Sequence, residues 1–398
     1  MKTVWLISFI ILTNVLSAQN RYDVIITEIM SDPSPQVGLP NNEWIELKNF
    51  SNSPINLLGW RIADASGQSG PIPEFILEVN NYVIICAASA RDAMASFGTA
   101  ISVTSFPSLD NDGEILMLKE PNGSVIHAVE YSHSWFQNEL KKDGGWSLEM
   151  INISTPCLGS TNWKASNDLR GGTPGMVNSV NAIIDDNQGP ELKYAYLGND
   201  SDIILVFTEP LDSMAAAKVI NYTIDGGINI TSAETIPPLF DRVQLKTDKP
   251  LSSGTIYNIA ANTISDCKGN LIGSTNKTRV GLPVQSLAGD VIINEILFNP
   301  RPNANDYVEL FNRSDKILDI SGLYLANRNS SNAINAITQF SPTSIYLFPR
   351  DYIVITTDVE NLALQYLVSS PDAVLTRPSL PSYPDTEGFV LVLNQQGE

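Results

Sequence analysis

One stretch of this chain occurs twice, and this repeat constrains the fold more than any other feature of the sequence. Residues 24–64 begin Val-Ile-Ile-Thr-Glu-Ile-Met, and residues 291–327 begin Val-Ile-Ile-Asn-Glu-Ile-Leu. The agreement continues through Trp-Ile-Glu-Leu-Lys-Asn at 44–49 and Tyr-Val-Glu-Leu-Phe-Asn at 307–312. A self-similarity of this length indicates a duplicated structural module.

Both copies have the residue pattern of short β-strands separated by turns. In residues 24–30, successive side chains are expected to face opposite sides of a strand. Further strand patterns occur at 82–86, 114–119 and 124–131, each bounded by turn residues. One short helix is predicted at 90–97. Many short strands at this spacing predict an all-β fold built of sandwiches.

Residues 1–18 have the pattern of a secretory signal peptide. Lys2 provides the positive start, residues 4–12 are apolar, and Ser17-Ala18 offers a small-residue cleavage site. The apolar run is shorter than the ~20 residues that a membrane-spanning helix needs. We therefore predict export, with no membrane insertion after cleavage and a location outside the cell or at its surface.

The remaining chain is long enough for several domains. We expect a first module at residues 19–180, a middle block at 189–283 and a second module at 289–398. A polar, acidic connector at 183–188 separates the first module from the middle block. The middle block has the size of one immunoglobulin-like sandwich, which is typically ~100 residues.

The duplicated module resembles a lamin-tail domain, in the version found in secreted bacterial proteins. The resemblance covers nearly all of residues 22–178, including Gly-Trp-Ser-Leu-Glu at 145–149 and Gly-Thr-Pro-Gly at 172–175. It implies an immunoglobulin-like β-sandwich that serves as an accessory or interaction module and has no catalytic residues. The structural motif residues that it singles out are Glu28, Glu46, Gly59, Trp60, Gly113, Trp146, Gly172 and Pro174 in the first module, and Glu295, Glu309 and Gly322 in the second.

The middle block is similar to the bacterial immunoglobulin-like domains of surface-layer and adhesin proteins. The similarity lies in Val-Phe-Thr-Glu-Pro-Leu-Asp at 206–212, Leu-Ser-Ser-Gly-Thr-Ile-Tyr at 251–257 and Asp-Cys-Lys-Gly-Asn at 266–270. Together with the two modules, it implies tandem immunoglobulin-like β-sandwiches.

The second module carries only the first two-thirds of the pattern seen in the first. Nothing in it corresponds to residues 123–178. If both modules fold alike, the second ends with an open sheet edge, which is an aggregation hazard. We expect the sequence to be a fragment of a longer one; the alternative is that another chain completes this sandwich.

The carboxylates inside the predicted strands are the first candidates for catalysis. Glu28 and Glu46, and their counterparts Glu295 and Glu309, form two pairs. Two carboxylates ~5–10 Å apart can perform acid–base work on a glycosidic bond. Because these residues lie within strands rather than in loops around a cleft, we favour a structural role, in which each accepts hydrogen bonds from loop amides.

The sequence offers weak signals for metal binding. His127 and His133 lack the i, i+4 helical spacing of a zinc site. Asp110 begins a sequence like a calcium loop, but its Gly comes fourth instead of sixth, so a β-turn is predicted. Calcium binding at the protein surface, at residues 185–186 or at Asp212, stays an open alternative. No other cofactor is predicted.

Three tryptophans raise the alternative of sugar binding: Trp135, Trp146 and Trp163. Packing is the commoner role of such residues at turn-rich sheet ends, and we favour it. The odd count and wide spacing of the three cysteines do not indicate a disulfide framework, although a bridge between any two of them stays possible, and Cys86 is expected to pack as a small apolar residue. The formal net charge of −19 argues against a nucleic-acid partner.

These observations predict a non-catalytic, exported, modular protein with an interaction or spacer role. Loops 31–42 and 299–305 are the expected contact sites for a protein or glycan partner. The alternative is the accessory, targeting region of a secreted hydrolase, such as a nuclease or phosphoesterase, whose catalytic domain lies beyond residue 398.

Overall fold

The structure is a computed structural model that describes residues 19–199, 202–370 and 373–397. The predicted signal peptide, residues 1–18, lies outside the described residues. The chain divides after Asp185 into two compact units. The first unit holds the first module, and the second holds the middle block and the second module.

The first unit consists of strands and a few single helical turns. Its strands are β1 (Val24–Met30), β2 (Trp44–Asn49), β3 (Ile55–Asn56), β4 (Arg61–Ala63), β5 (Ile76–Leu77), β6 (Tyr82–Ala87), β7 (Ala100–Val103), β8 (Ile115–Lys119), β9 (Val125–Glu130), β10 (Leu148–Met150) and β11 (Trp163–Ala165). Its helices are α1 (Arg91–Met94) and the 3-10 turns His133–Phe136 and Gly159–Asn162. The large sheet has the order β11-β10-β1-β2-β6-β7, a smaller sheet has β4-β8-β9, and β3 pairs with β5.

Strand β1 lies within the large sheet, and every one of its residues is buried. A strand covered on both faces needs apolar residues at consecutive positions, which Val24, Ile25 and Ile26 supply. These three belong to the main core of the unit. A second cluster, which includes Cys86 and Met94 of α1, packs elsewhere on the same sheet. Cys86 is a free, buried thiol, so its predicted packing role is confirmed.

The middle block is a sandwich of two antiparallel sheets. Its strands are β12 (Leu192–Asn199), β13 (Asp202–Phe207), β14 (Tyr222–Ile224), β15 (Ile230–Ile236), β16 (Arg242–Thr247), β17 (Ile256–Ala261) and β18 (Lys277–Gly281). Helix α2 (Ser213–Ala216) and a 3-10 turn (Val219–Asn221) connect β13 to β14. The sheets have the orders β12-β13-β16-β15 and β14-β17-β18, and one apolar core lies between them.

The second module follows in the same unit. Its strands are β19 (Val291–Leu297), β20 (Tyr307–Asn312), β21 (Leu318–Asp319), β22 (Tyr324–Arg328), β23 (Ile334–Gln339), β24 (Tyr346–Leu347), β25 (Tyr352–Thr356), β26 (Val374–Thr376) and β27 (Leu391–Leu393). Helix α3 (Val359–Gln365) and a 3-10 turn (Ile320–Gly322) complete it. The sheets have the orders β19-β20-β25-β26 and β23-β22-β27, β21 pairs with β24, and a separate core fills the space between them.

The two modules repeat the same strand pairing. β19, β20, β25 and β26 follow the order of β1, β2, β6 and β7, and the last pair is parallel in both modules. The first strand also has its bulge at the same position, between Ile26 and Glu28 and between Ile293 and Glu295. One difference concerns β10, which has no counterpart among the described residues of the second module. Within the described residues, β19 has one strand neighbour, whereas β1 has two.

The prediction of an all-β sandwich fold is confirmed. The helix predicted at 90–97 is only the short α1. The strand pattern of the sequence did not predict β15. Its polar and small residues give no clear alternation of apolar and polar positions, because most of them are only partly buried. No helix in the described part of the chain is long and apolar enough to cross a membrane.

Candidate functional site

The best-defined polar site in the first unit lies where a loop crosses the large sheet. We call this loop, residues 171–180, the strap. Its backbone amides donate to three glutamates on neighbouring strands: Thr173 N to Glu28 Oε1 at 2.8 Å, Gly175 N to Glu46 Oε2 at 2.6 Å, and Val180 N to Glu149 Oε2 at 3.1 Å. The strap is therefore tied to β1, β2 and β10 together.

The three glutamates are neighbours because of strand register. Glu28 is paired with Glu46 on β2 and with Glu149 on β10. All three residues have 0% exposure. Hydroxyl groups donate further bonds: Ser147 to Glu28 at 2.6 Å, Thr27 to Glu46 at 2.8 Å, and Thr173 to Glu149 at 2.8 Å. Among the described residues, the second oxygen of Glu28, Oε2, is buried without a hydrogen-bond partner.

Asn178 fastens the far end of the strap. Its side-chain amide donates to the backbone oxygens of Thr27 at 2.9 Å and Met150 at 2.8 Å. These two acceptors lie on β1 and β10, so one side chain bridges adjacent strands. Buried carbonyl groups need such partners, because an unpaired polar group inside the protein costs roughly 1–3 kcal/mol.

Burial changes the ionisation of these carboxyl groups. It raises the pKa of Glu28 well above its usual range, and the nearby Glu46 and Glu149 add to this rise. Burial likewise raises the pKa of Glu46 to about 8, although the Gly175 amide and the Thr27 hydroxyl oppose the change. A carboxyl group with a pKa of about 8 is largely protonated at neutral pH, so Glu46 is mostly uncharged there, which relieves its repulsion with the nearby carboxyl groups.

The same two positions look different in the second module. Glu295 is exposed and accepts a 2.5 Å hydrogen bond from the hydroxyl of Tyr307. Glu309 is half-buried and accepts from the side-chain amide of Asn294 at 2.7 Å. Both partners come from the sheet itself. The repeated sequence thus places the glutamates alike, and the strap decides whether they are buried.

The glycines of the motif hold close contacts in the first unit. A Cβ atom on Gly172 would lie 2.7 Å from Glu28 Oε1 and 2.9 Å from Ser147 Oγ, so only glycine lets the strap approach the sheet. Gly113 has a φ of +121°, and a Cβ there would lie 2.3 Å from the carbonyl oxygen of Tyr131. Pro174 is buried beside Gly172 in the strap.

The other motif residues serve the turns and the core. Gly59 and Trp60 form the turn into β4, and Trp60 is 3% exposed in the main core. Trp146 is half-buried and lies under the Lys141 ammonium group, 4.4 Å from its ring centre. Gly322 ends a 3-10 turn in open surroundings.

The predicted partner loops occupy the same place in both modules, between the first two strands. Loop 31–42 is pinned by bonds from Gly145 N to Asp32 O at 2.7 Å and from Leu39 N to Arg170 O at 3.0 Å. Its residues 34–38 are exposed. Loop 299–305 is held by α3 and the residue after it, through a bond from Asn361 Nδ2 to Asn303 O at 2.9 Å and one from Arg301 N to the Tyr366 hydroxyl at 3.2 Å.

The remaining candidate residues have separate contacts. His127 is buried and accepts from Ile26 N at 2.8 Å, and burial lowers its pKa to about 3, so it is neutral. His133 Nε2 instead contacts Lys142 O at 2.9 Å. Trp163 is 1% exposed and packs 6.2 Å from Trp135, which leaves no open Trp163 face for a sugar.

The acidic positions considered for calcium have local roles. Asp110 accepts from the amide of Asp112 at 3.0 Å, which is a turn contact. Asp212 accepts from Ala215 N at 2.7 Å and caps α2. In residues 19–199, 202–370 and 373–397, no group of three or more His, Cys, Asp or Glu residues could hold a metal ion.

Sequence reasoning missed Glu149 and Asn178 as members of the site. Glu149 had a usable signal, since it is an acidic residue within an otherwise apolar short strand, as Glu28 is. Asn178 had none, because it lies in a loop with ordinary loop composition. Its role depends on a contact 151 residues distant in sequence.

Comparison with known proteins gives one strong match. The Lamin Tail Domain family profile matches residues 17–133 and 285–395, which together make up more than half of the chain. The first match ends before β10 and the strap, so the resemblance predicted for residues 134–178 stays a prediction. No curated protein matches.

Some solved structures are weakly similar. The N-terminal part of the bacterial S-layer protein SbsC is 14% identical, with 41% of this chain and 44% of that chain covered and a TM-score of 0.22. Domains 1–6 of the same surface layer protein give 11% identity, 52% and 40% coverage and a TM-score of 0.22. Pullulanase type I from Bacillus subtilis str. 168 gives 8% identity, 43% and 23% coverage and a TM-score of 0.15.

The chain thus spans less than half of each of these structures. The assignment rests on the family match, whose two segments contain the four strands that pair in the same order in both modules, β1-β2-β6-β7 and β19-β20-β25-β26. The chain therefore belongs to the lamin tail domain family.

Proposed function

We propose that this chain is a non-catalytic, exported, modular protein with an interaction or spacer role at the cell surface or outside the cell. One observation carries the proposal. The carboxyl groups that most resemble a catalytic set are 0% exposed, and their oxygens accept bonds from the strap and nearby hydroxyls. A general acid or base must come within hydrogen-bond reach of its substrate. These groups fasten a loop to a sheet instead.

The proposed binding sites are loops 31–42 and 299–305. Residues 34–38 of the first loop are exposed, while its two ends are held by backbone bonds to other parts of the unit. A loop that is already ordered loses less conformational entropy on binding, which strengthens its affinity. A protein or glycan is the proposed partner. Nucleic acid is not, because the net charge of −19 repels phosphate.

The test is a binding experiment on the mature protein with loop variants. The probes are intact cells of the organism that naturally makes the protein and the glycan purified from their cell wall. The fraction of the protein that sediments with each probe is measured. Replacing residues 34–38 with Gly and Ser should lower the bound fraction, whereas the same replacement at the exposed residues 65–68 should not.

The catalytic alternative is tested on the same preparation. Double-stranded DNA and bis(p-nitrophenyl) phosphate serve as substrates, and we expect no hydrolysis above buffer. Hydrolysis that persists through a second purification and is lost in the Glu46→Gln variant would refute the non-catalytic assignment. Equal retention of all loop variants on the probes would refute the assignment of the binding loops.

A further inference from the structure

Lys48, near the end of β2, is a lysine buried inside the first unit, with an exposure of only 5%. Its ammonium group donates to the carbonyl oxygen of Asn80 at 2.9 Å and lies 3.9 Å from the ring centre of Tyr82. An ammonium group has three N–H donors, and its burial is costly unless an anion balances the charge. The ion pairs found in residues 19–199, 202–370 and 373–397 do not include Lys48. Its charge therefore has no ion-pair partner in the part of the chain that the structure describes.

Glu46 lies on the same face of β2 as Lys48, but it is a weak counter-charge. Its pKa is raised to about 8, so its carboxyl group is mostly protonated at neutral pH. Its two oxygens already accept from the Thr27 hydroxyl and from the strap amide of Gly175. Burial lowers the pKa of Lys48, and Glu46 only opposes this change. An anion that reached the ammonium group from outside would supply the negative charge that the protein itself does not.

The second module indicates that the shared strand pairing does not need a lysine at this position. Lys48 pairs with Tyr82 across β2 and β6, and Phe311 pairs with Tyr352 across the corresponding strands β20 and β25. The rings of Phe311 and Tyr352 lie with their centres 4.6 Å apart. The same strand pairing thus accepts two aromatic rings, which bring no buried charge. The lysine of the first module therefore has a role other than holding the sheet together.

The Lys48 side chain lines a cavity of about 210 Å³ next to the strap. The other residues that line this cavity are Tyr82, Ile153, Val177, Asn178 and Asn181. Ile153 and Val177 form an apolar wall. Burial raises the pKa of Tyr82 to about 12, so its hydroxyl keeps the proton that it can donate. At ~30 Å³ for each water-sized group, the cavity has room for roughly seven non-hydrogen atoms.

We propose that this cavity binds a small carboxylate with a short apolar chain, and that the Lys48 ammonium group holds its oxygens. The carboxylate can accept from Lys48 Nζ and from the Tyr82 hydroxyl, and such charge-assisted bonds are the stronger class of hydrogen bond. The apolar chain covers Ile153 and Val177, whereas inorganic phosphate would leave this wall bare. A free organic acid and the C-terminus of a peptide share this chemistry. The site is separate from loops 31–42 and 299–305 and does not rest on the function proposed above.

The experiment titrates the full mature chain with valerate, whose size suits the cavity, and with valeramide, its uncharged analogue. The lysine ε-carbons carry ¹³C, and the NMR signal of Lys48 is assigned by its loss in the Lys48→Met variant. Valerate should shift this signal with a Kd on the order of 1 mM, as expected for so small a ligand. Valeramide should bind at least about tenfold more weakly, because it carries no charge. N-acetylalanine represents the C-terminus of a peptide; tighter binding than valerate identifies that source, and weaker binding identifies a free organic acid.

Two pairs of variants make the test specific, with saturation-transfer NMR on valerate as the measurement. Lys48→Met should weaken binding at least about tenfold, whereas Lys164→Met, at an exposed lysine of β11 in the same sheet, should not. Val177→Phe fills the cavity and keeps the charge, so it should also weaken binding. Met176→Phe makes a similar change at the neighbouring exposed residue and should leave binding unchanged. Melting temperatures check the folding of each variant, and Val177→Phe carries the test if Lys48→Met does not fold.

Three results would overturn the proposal. One is a Lys48 signal that does not shift at valerate concentrations about fiftyfold above the expected Kd of ~1 mM. Another is equal binding of valerate and valeramide, which would show that the charge of Lys48 plays no part. The third is equal weakening by the two variants of either pair, which would place binding outside the cavity. None of these results changes the retention of the loop variants on cells or glycan, so the two proposals fail separately.

Discussion

Replacing the buried Glu46 should change how the stability of the first unit depends on pH. The pKa of Glu46 is raised from 4.5 to about 8 in the folded protein, mainly by burial. The folded state therefore keeps a proton that the unfolded state loses above pH 4.5. This contribution to stability is complete below pH 4.5 and is lost as the pH rises through about 8. At about 1.4 kcal/mol per pH unit, the loss over this window is on the order of 5 kcal/mol.

A glutamine at position 46 removes this proton linkage but keeps the local bonds. Its oxygen can accept from Gly175 N, and its amide can donate to the hydroxyl of Thr27, which are the present partners. We therefore expect the free energy of unfolding of the Glu46→Gln variant to depend less steeply on pH. The slope should change by the contribution of one titrating proton, about 1.4 kcal/mol per pH unit. It should gain stability over the wild type as the pH rises from 5 to 9.

Urea unfolding followed by tryptophan fluorescence measures this effect. All tryptophans outside residues 1–18 lie in the first unit, so the signal reports that unit. Glu78→Gln is the control, because this carboxyl group lies in the same unit and is exposed. An unchanged slope in Glu46→Gln, or a wild-type stability that rises between pH 5 and 8, would refute the reasoning.

Three further predictions concern packing and surface charge. Gly172→Ala should cost about 1–3 kcal/mol, because its Cβ would overlap the buried carboxyl group, whereas Gly67→Ala, which meets nothing within 4 Å, should be neutral in the same urea assay. Asn178→Ala should cost roughly 2–4 kcal/mol by leaving two buried carbonyls unpaired, and hydrogen exchange should show the strap opening before the sheet. Arg279→Ala breaks an ion pair with Asp351, and because both side chains are partly exposed, the melting temperature should reflect a loss below about 1 kcal/mol.

The sequence supported much of the fold because its strand patterns are local. Val24–Met30 and Val291–Leu297 were recognisable as strands from their apolar residues alone, and their likeness predicted the shared pairing order. The candidate site was harder. Glu28 and Glu46 could be named, but not their third companion Glu149, which reaches them only through the pairing of β10 with β1.

The repeat by itself determined that two alike sheets form, with a glutamate at the same place in the first strand of each. Only the tertiary structure decided what those glutamates do. Glu28 is buried because Ser147 and Thr173, 119 and 145 residues away, come to lie against it. Glu295 has the same local sequence and stays exposed, since nothing among the described residues crosses its strand. Burial, and with it the raised pKa of Glu28, depends on such distant contacts, which local sequence does not encode.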